Sequence, residues 1–482
     1  MKKFKAAAAL ALIAAMLFSM NCVYAAKAEE PERDCPYVFI HGFMGSSIYA
    51  DPSDEDSPLA WPPAANDIVS TVFKALPHLG LLLITRDYKA FGDKVFPLVD
   101  KLFSEIKLAP DGTVHNKTGI RWSYPPAESI NKSSKVDFVY DWRISPIEVA
   151  AQLNDFIDYV LDCSGCEQIV AEAHSYGGVI LTTYARLYGT SKIRSWMYNS
   201  TAVFGEDYTG DLFTGNIVFR DDALTEFLKA STENSGSAGF LSFLFDALYK
   251  TKITDGLCRF TNRLIEKIGM QRIGQSLVPL FGGWLSIWSM VPDEKAQEAY
   301  DYVFGFVYEN DPTDRSGLQA KVREYDEKIR PFKAETLNII NEDANLYVIA
   351  RYGYYGMFMT DSWVNESDTV IDTKHASFGA TCAPHGEELK LDKPVLHEHI
   401  SPEKGIDAST CMFPEQTWFI KGLTHSAWGD SLDRMTLTLL YNDGQATTDT
   451  FENYPRWLRR DSDGGIVPDT ETDYTALLQR LH

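Results

Sequence analysis

Ile169-Val170-Ala171-Glu172-Ala173-His174-Ser175-Tyr176-Gly177-Gly178 reads as a short apolar strand, a sharp turn with a serine at its apex, and a helix from Val179 onward. These are the parts of a nucleophile elbow. The serine sits on a strained turn with its Oγ exposed, and the positions two before and two after are small so that strand and helix can approach. Here those positions are Ala173 and Gly177. Alone, small-x-Ser-x-Gly also fits an ordinary strand-to-helix turn. The reading therefore depends on whether the chain supplies the partners a reactive serine needs.

Upstream, Val136 to Arg143 (VDFVYDWR) reads as a strand ending in a polar pair, Asp141 and Arg143. Ser145-Pro146-Ile147-Glu148 then opens a helix, with Ser as N-cap, Pro at the first helical position and Glu at the capping-box position. Val149, Leu153, Phe156 and Val160 give its apolar stripe. The order strand, helix, strand, elbow, helix is the βαβ unit of a doubly wound, mostly parallel sheet. Earlier still, Pro36 to Ile40 is a β-rich run followed at once by His41-Gly42-Phe43-Met44-Gly45-Ser46. A Gly in that loop lets a main-chain N–H turn towards a developing oxyanion. The N–H groups of Phe43 and Tyr176 are the candidate oxyanion hole.

A nucleophilic serine also needs a general base and an acid to orient it. Asp368 follows the strand Asn345 to Ala350, and His425 follows the strand Thr417 to Ile420, so the order is Ser, Asp, His. Asp461-Ser462-Asp463-Gly464-Gly465 resembles an acid loop more closely by letter, but the histidine after it is the terminal His482, a poorly held position for a base. No strand pattern stands out immediately before Asp463. Asp368 and His425 are therefore preferred. His174 reads as positional. His397-Glu398-His399 has the look of a metal pair but lacks further ligand spacing, so no metal site is expected there. Cys163-Ser164-Gly165-Cys166 reads as a local disulfide or two free thiols.

The first residues read as an export signal: Lys2, Lys3 and Lys5, an apolar run from Ala6 to Met20, and a cleavage site near Ala25. Lipoprotein anchoring at Cys22 is disfavoured by Ser19 and Asn21. A secreted or periplasmic protein is expected, and six cysteines remaining after cleavage suit disulfides. The formal net charge is −22, and loss of the three lysines with the signal makes the mature chain more acidic still. That excludes nucleic acid and simple electrostatic attachment to anionic membranes.

Residues 1-25 are thus the expected signal peptide, and 26-204 the first part of the core. A lid insertion is expected at about 48-135, with one amphipathic helix near Val95 to Ile106. Residues 205-335 read as a helical cap, with apolar stretches at Leu241 to Phe245 and Leu277 to Val291 that suit acyl chains. Residues 336-442 complete the core, with a last helix from Leu432. Residues 443-482 read as a polar, irregular extension.

Several blocks carry a resemblance: His41-Gly42-Phe43-Met44-Gly45-Ser46, Tyr140-Asp141-Trp142-Arg143, Ala173-His174-Ser175-Tyr176-Gly177-Gly178, Ser367-Asp368-Thr369-Val370-Ile371 and Gly422-Leu423-Thr424-His425. The chain resembles the lecithin:cholesterol acyltransferase and lysosomal phospholipase A family of α/β-hydrolases. Asp372 stands where that family usually has Pro, and the 382–411 insertion and the cap depart from it. The resemblance implies an α/β-hydrolase fold with a lid and cap. It implies a serine esterase, lipase, phospholipase or O-acyltransferase with Ser175, Asp368 and His425 as triad, and no metal or organic cofactor. Its substrate would be a lipid or other acyl ester, with transient contact to a lipid surface. Asp141 and Arg143 would be a structural pair near the site. A peptidase or thioesterase would differ only in the acyl donor. The alternative is a non-catalytic protein of the same fold that binds lipid or a partner at the cell surface.

Overall fold

The computed structural model describes residues 33–121, 124–232, 238–390 and 398–469. The expected signal peptide, the Cys22 site, His397 and His482 lie outside the described residues.

The run Pro36 to Ile40 forms β1 (Tyr37–Ile40), and the elbow stretch forms β3 (Ile169–Ser175). Between them in sequence lie two insertion helices, α1 (Ala65–Thr85) and α2 (Tyr88–Phe103), then β2 (Lys135–Phe138) and α3 (Pro146–Ser164). α4 (Gly177–Tyr188) follows the elbow, and β4 (Ile193–Thr201) follows α4. After a long helical segment come β5 (Asn345–Tyr352), β6 (Thr417–Lys421), β7 (Trp457–Arg460) and β8 (Ile466–Pro468). The eight strands make one sheet in the order β8-β7-β6-β5-β4-β3-β1-β2. All neighbours are parallel except β7 and β8, which form an antiparallel hairpin. This is the doubly wound α/β architecture expected from the sequence.

Both faces of the sheet are covered, which is why its central strands are buried along almost their whole length rather than on alternate residues. Val38, Ile40, Ala171 and Ala173 pack on one face with Val149, Leu153 and Phe156 of α3 and Val179 of α4. Tyr37, Phe39 and Val170 point the opposite way, onto Leu432 and Met435 of the last helix (Asp430–Leu440). Helix α3 starts as its sequence dictates: the Ser145 side chain accepts a hydrogen bond from the Ile147 N–H, and Pro146 occupies the first turn. It stops at Gly165, which adopts φ 69°.

The structure departs from expectation in four places. The insertion carries two long helices rather than one, α1 (Ala65–Thr85) and α2 (Tyr88–Phe103), joined by Arg86 and Asp87. α1 is apolar round much of its circumference, which hid its helical period. The VDFVYDWR strand ends at Phe138, because Tyr140 and Trp142 beyond it leave the ladder to hold the His41–Ser46 loop. The chain beyond 442 is not simply an irregular tail. β7 and β8 extend the sheet, with Trp457 and Leu458 buried and Arg459 and Arg460 at the rim. A four-residue strand that is half Arg offers no clear alternation to read. Finally, the six described cysteines are free thiols rather than disulfides. Cys35, Cys258 and Cys411 are buried as small apolar residues, and burial pushes each thiol up to about 12.

Between Asp207 and Asp343 the described residues are mostly helical. α5 (Asp207–Thr214), α6 (Asp221–Thr232) and α7 (Ala238–Lys250) come first. α8 (Ile253–Ile268), α9 (Met270–Phe281) and α10 (Leu285–Met290) follow. The segment returns to β5 through α11 (Ser316–Lys328) and α12 (Lys333–Asp343).

Candidate active site

Ser175 ends β3 with φ 56°, in the left-handed region. For a residue with a Cβ such a conformation costs on the order of 1–3 kcal/mol and persists only when its surroundings enforce it. The surroundings here are three close approaches. A Cβ on Gly177 would lie 2.4 Å from the Ile40 carbonyl oxygen and 2.7 Å from that of His41. A Cβ on Gly178 would lie 2.4 Å from Thr201 Cβ. A Cβ on Gly42 would lie 2.7 Å from Ser175 Cβ. The two glycines after the serine thus let α4 tuck against β1 and β4, and Gly42 lets the β1 loop pass directly beside the serine.

That loop is held by the residues after β2. The Tyr140 hydroxyl donates to the His41 carbonyl (2.6 Å), and Trp142 Nε1 donates to the Ser46 carbonyl (3.0 Å). Among the described residues, the N–H groups of Phe43 and Tyr176 donate to no protein acceptor. Asp141 and Arg143 form a buried two-point pair, Nε to Oδ1 at 2.9 Å and Nη2 to Oδ2 at 2.6 Å. The guanidinium also donates to the Thr118 hydroxyl and to the carbonyls of Thr118 and Ile106. The pair therefore anchors the 48–135 insertion to the core.

Asp368 and His425 come together as the strand order predicts. His425 Nδ1 is 2.7 Å from Asp368 Oδ2, and the His425 N–H donates to the Asp368 carbonyl. Asp368 is fully buried, which pushes its pKa up. The His425 imidazole, the Ser200 hydroxyl (2.5 Å) and the Ile371 N–H (2.7 Å) outweigh that and hold it below the usual aspartate range. An ionised Asp368 makes Nδ1 the protonated nitrogen, leaving Nε2 as the acceptor. Ser175 and His425 line the same cavity. In this conformation no hydrogen bond joins Ser175 Oγ to the imidazole, a contact that often tightens only around substrate.

Sequence reasoning missed what lies beneath the histidine loop. Arg351, fully buried near the end of β5, donates from Nη1 to the carbonyls of Thr424, His425 and Ala427 at 2.8, 3.0 and 3.0 Å. Its other nitrogens reach Asn199 Oδ1. Asn199 in turn donates to Glu172, which also accepts from the Tyr37 hydroxyl. Burial raises the Glu172 pKa, against the pull of those two donors. The signal for this network was a charged residue inside each of two apolar strands. His174 packs against the histidine loop: its Nε2 meets the His425 carbonyl at 3.1 Å, and the two rings lie 4.5 Å apart. Burial, with His425 and Arg351 nearby, pushes its pKa well below the usual histidine value. Ser200, with φ 51°, was also not foreseen.

The other candidates stand apart. Asp461 caps the β7–β8 turn, accepting from the N–H groups of Asp463 and Gly465. His399 faces Glu415, which also holds Arg456. A buried acidic group lies under the Asp368 loop. There Asp207, Asp372 and His375 come close enough to share an ion. Asp207 is already engaged by Lys374, His375 and Asn365, so the group carries its own counter-charge.

Two cavities meet at the candidate site. The smaller, about 220 Å³, holds Ser175, His425, Gly42, His41, Ser46 and Trp61. The larger, about 390 Å³, runs between the cap helices and is lined almost wholly by apolar side chains, among them Phe227, Ile273, Leu277 and Phe358. Phe43, Met44, His425 and Ser426 belong to both.

No family model matches the sequence, and no curated protein matches it. Among solved structures, one described as "The crystal structure of Tle4-Tli4 complex" aligns over 66% of this chain and 75% of its own, at 12% identity and a TM-score of 0.27. A likeness of that size carries no argument about the reaction.

Proposed function

We propose that this protein is an exported serine hydrolase or O-acyltransferase that cleaves acyl esters of lipids, of the kind implied by its resemblance to lecithin:cholesterol acyltransferase and lysosomal phospholipase A. The observation that carries the reading is Ser175 on a left-handed turn, sharing a cavity with a His425–Asp368 pair.

In this reading Ser175 Oγ attacks the ester carbonyl while His425 Nε2 takes its proton. The carbonyl π electrons move to oxygen, and the N–H groups of Phe43 and Tyr176 stabilise that oxyanion. Collapse expels the alcohol, which takes its proton from His425. Water or a second alcohol then attacks the acyl-enzyme and gives its proton to His425; collapse breaks the acyl bond to Ser175 Oγ, which takes that proton back as acid or new ester leaves. Asp368 stays ionised and steadies the imidazolium. Arg351 and His174 fix the loop carbonyls and so the ring. A purely binding role gives no reason to keep the cost of a strained serine at the cavity floor.

The test is ester hydrolysis and transfer by the purified protein against Ser175→Ala, with products identified by mass spectrometry in the presence and absence of an alcohol acceptor. Turnover lost in Ser175→Ala supports the reading. Equal turnover in both removes it.

A further inference from the structure

We infer that the substrate is a neutral ester of one apolar acyl chain of about a dozen carbons, with the chain in the larger cavity and an uncharged alcohol in the smaller. The inference rests on the ester-cleaving reading of Ser175 and narrows it.

The larger cavity fixes the acyl half. It is reached past His425 and Phe43 and is walled by α6 and α9 together with Met357 and Phe358. No Asp, Glu, Lys or Arg lines it among the described residues. A charged or strongly polar acyl group would be buried there without a partner. Taking a methylene as roughly the size of a water molecule, about 30 Å³, the 390 Å³ holds on the order of a dozen carbons.

The smaller cavity fixes the alcohol half. Its polar side chains carry hydroxyls, imidazoles and indole N–H groups, among them Ser46, Ser47, His41 and Trp428 besides Ser175 and His425. Among the described residues it too has no Lys or Arg. Burial pushes His41 and His174 below the usual histidine value, so neither supplies a lasting positive charge. A phosphate-bearing alcohol would find no cation here, and the chain is strongly acidic overall. A glycerol or other neutral alcohol finds donors and acceptors of the right kind.

The experiment compares kcat/KM for neutral glycerol esters of increasing chain length, and for 1-lauroylglycerol against 1-lauroylglycerol 3-phosphate, all below their aggregation limits. Expected is a rise of about two- to fourfold per added methylene up to about twelve carbons and a fall beyond. The neutral ester should be favoured over its phosphate counterpart by at least about tenfold. Ala230→Phe, which fills the larger cavity, should lower turnover of the twelve-carbon ester at least about tenfold more than that of the acetate. A flat chain-length profile, equal or better turnover of the phosphate ester, or an equal loss on both chains in Ala230→Phe overturns the inference while leaving ester cleavage standing. Absence of turnover on every ester overturns both.

Discussion

His425 Nδ1 sits 2.7 Å from Asp368 Oδ2 although 57 residues separate them in sequence. Between them lie the 382–411 insertion and β6. Two backbone features lock the pair. The His425 N–H bonds the Asp368 carbonyl, and the Asp368 carboxylate accepts the N–H groups of Val370 and Ile371. Replacing Asp368 by Asn should keep the shape of the site but favour the wrong imidazole tautomer. A fall in kcat of about 10³–10⁴-fold is expected, with little change in KM, measured by steady-state hydrolysis.

Arg351 should matter through His425 rather than through substrate. Arg351→Met leaves three loop carbonyls without this donor, at about 1–3 kcal/mol for each buried group left unsatisfied. Urea unfolding should show a clear loss of stability, and kcat should fall more than KM changes. Arg351→Lys should recover only part of both, because an ammonium cannot span Asn199 and the three carbonyls together. Full recovery by Lys would show that charge alone suffices.

Strain at Ser175 is expected to appear as a trade between stability and activity. Gly adopts φ 56° without steric cost. Ser175→Gly should therefore abolish ester cleavage and stabilise the fold by about 1 kcal/mol, after allowing for the greater freedom of Gly in the unfolded chain. A denaturant midpoint below that of the wild type would contradict the strained elbow.

The acidic group under the Asp368 loop gives a pH prediction. Burial pushes Asp372 well above the aspartate range, reinforced by the neighbouring Asp207. A carboxyl whose pKa is raised on folding contributes stability below its unfolded pKa, about 3.9, and that contribution is lost as pH rises through the folded value. Asp372→Asn should therefore flatten the decline in stability as pH rises above about 3.9. Asp368 has the opposite sign. Its lowered pKa contributes stability above the unfolded value that is lost on acidification, so Asp368→Asn should flatten the acid side instead. Urea midpoints measured across pH would separate the two.

Much of this was legible in the sequence, because the informative residues are local. Ala173-His174-Ser175-Tyr176-Gly177-Gly178 encodes its own turn, and Ser145-Pro146 encodes the start of a helix. Ser, Asp and His each follow a recognisable strand. What stayed hidden depends on contacts far apart in the chain. Arg351 and Asn199 are 152 positions apart and meet only in the folded sheet. Tyr37 and Glu172 lie on neighbouring strands that the sequence cannot pair. β7 escaped notice because its short strand ends in two arginines. Asp141 and Arg143 were seen as a pair, yet their hold on Thr118 and Ile106 requires knowing where the insertion packs.

The central claim is that Ser175 is a nucleophile activated by His425. It is tested most directly by incubating the protein with a fluorophosphonate and locating the adduct by peptide mass spectrometry. One adduct is expected, on Ser175, absent from Ser175→Ala and formed far more slowly in His425→Ala. An unlabelled wild-type protein, or an adduct on another residue that persists in Ser175→Ala, would contradict it.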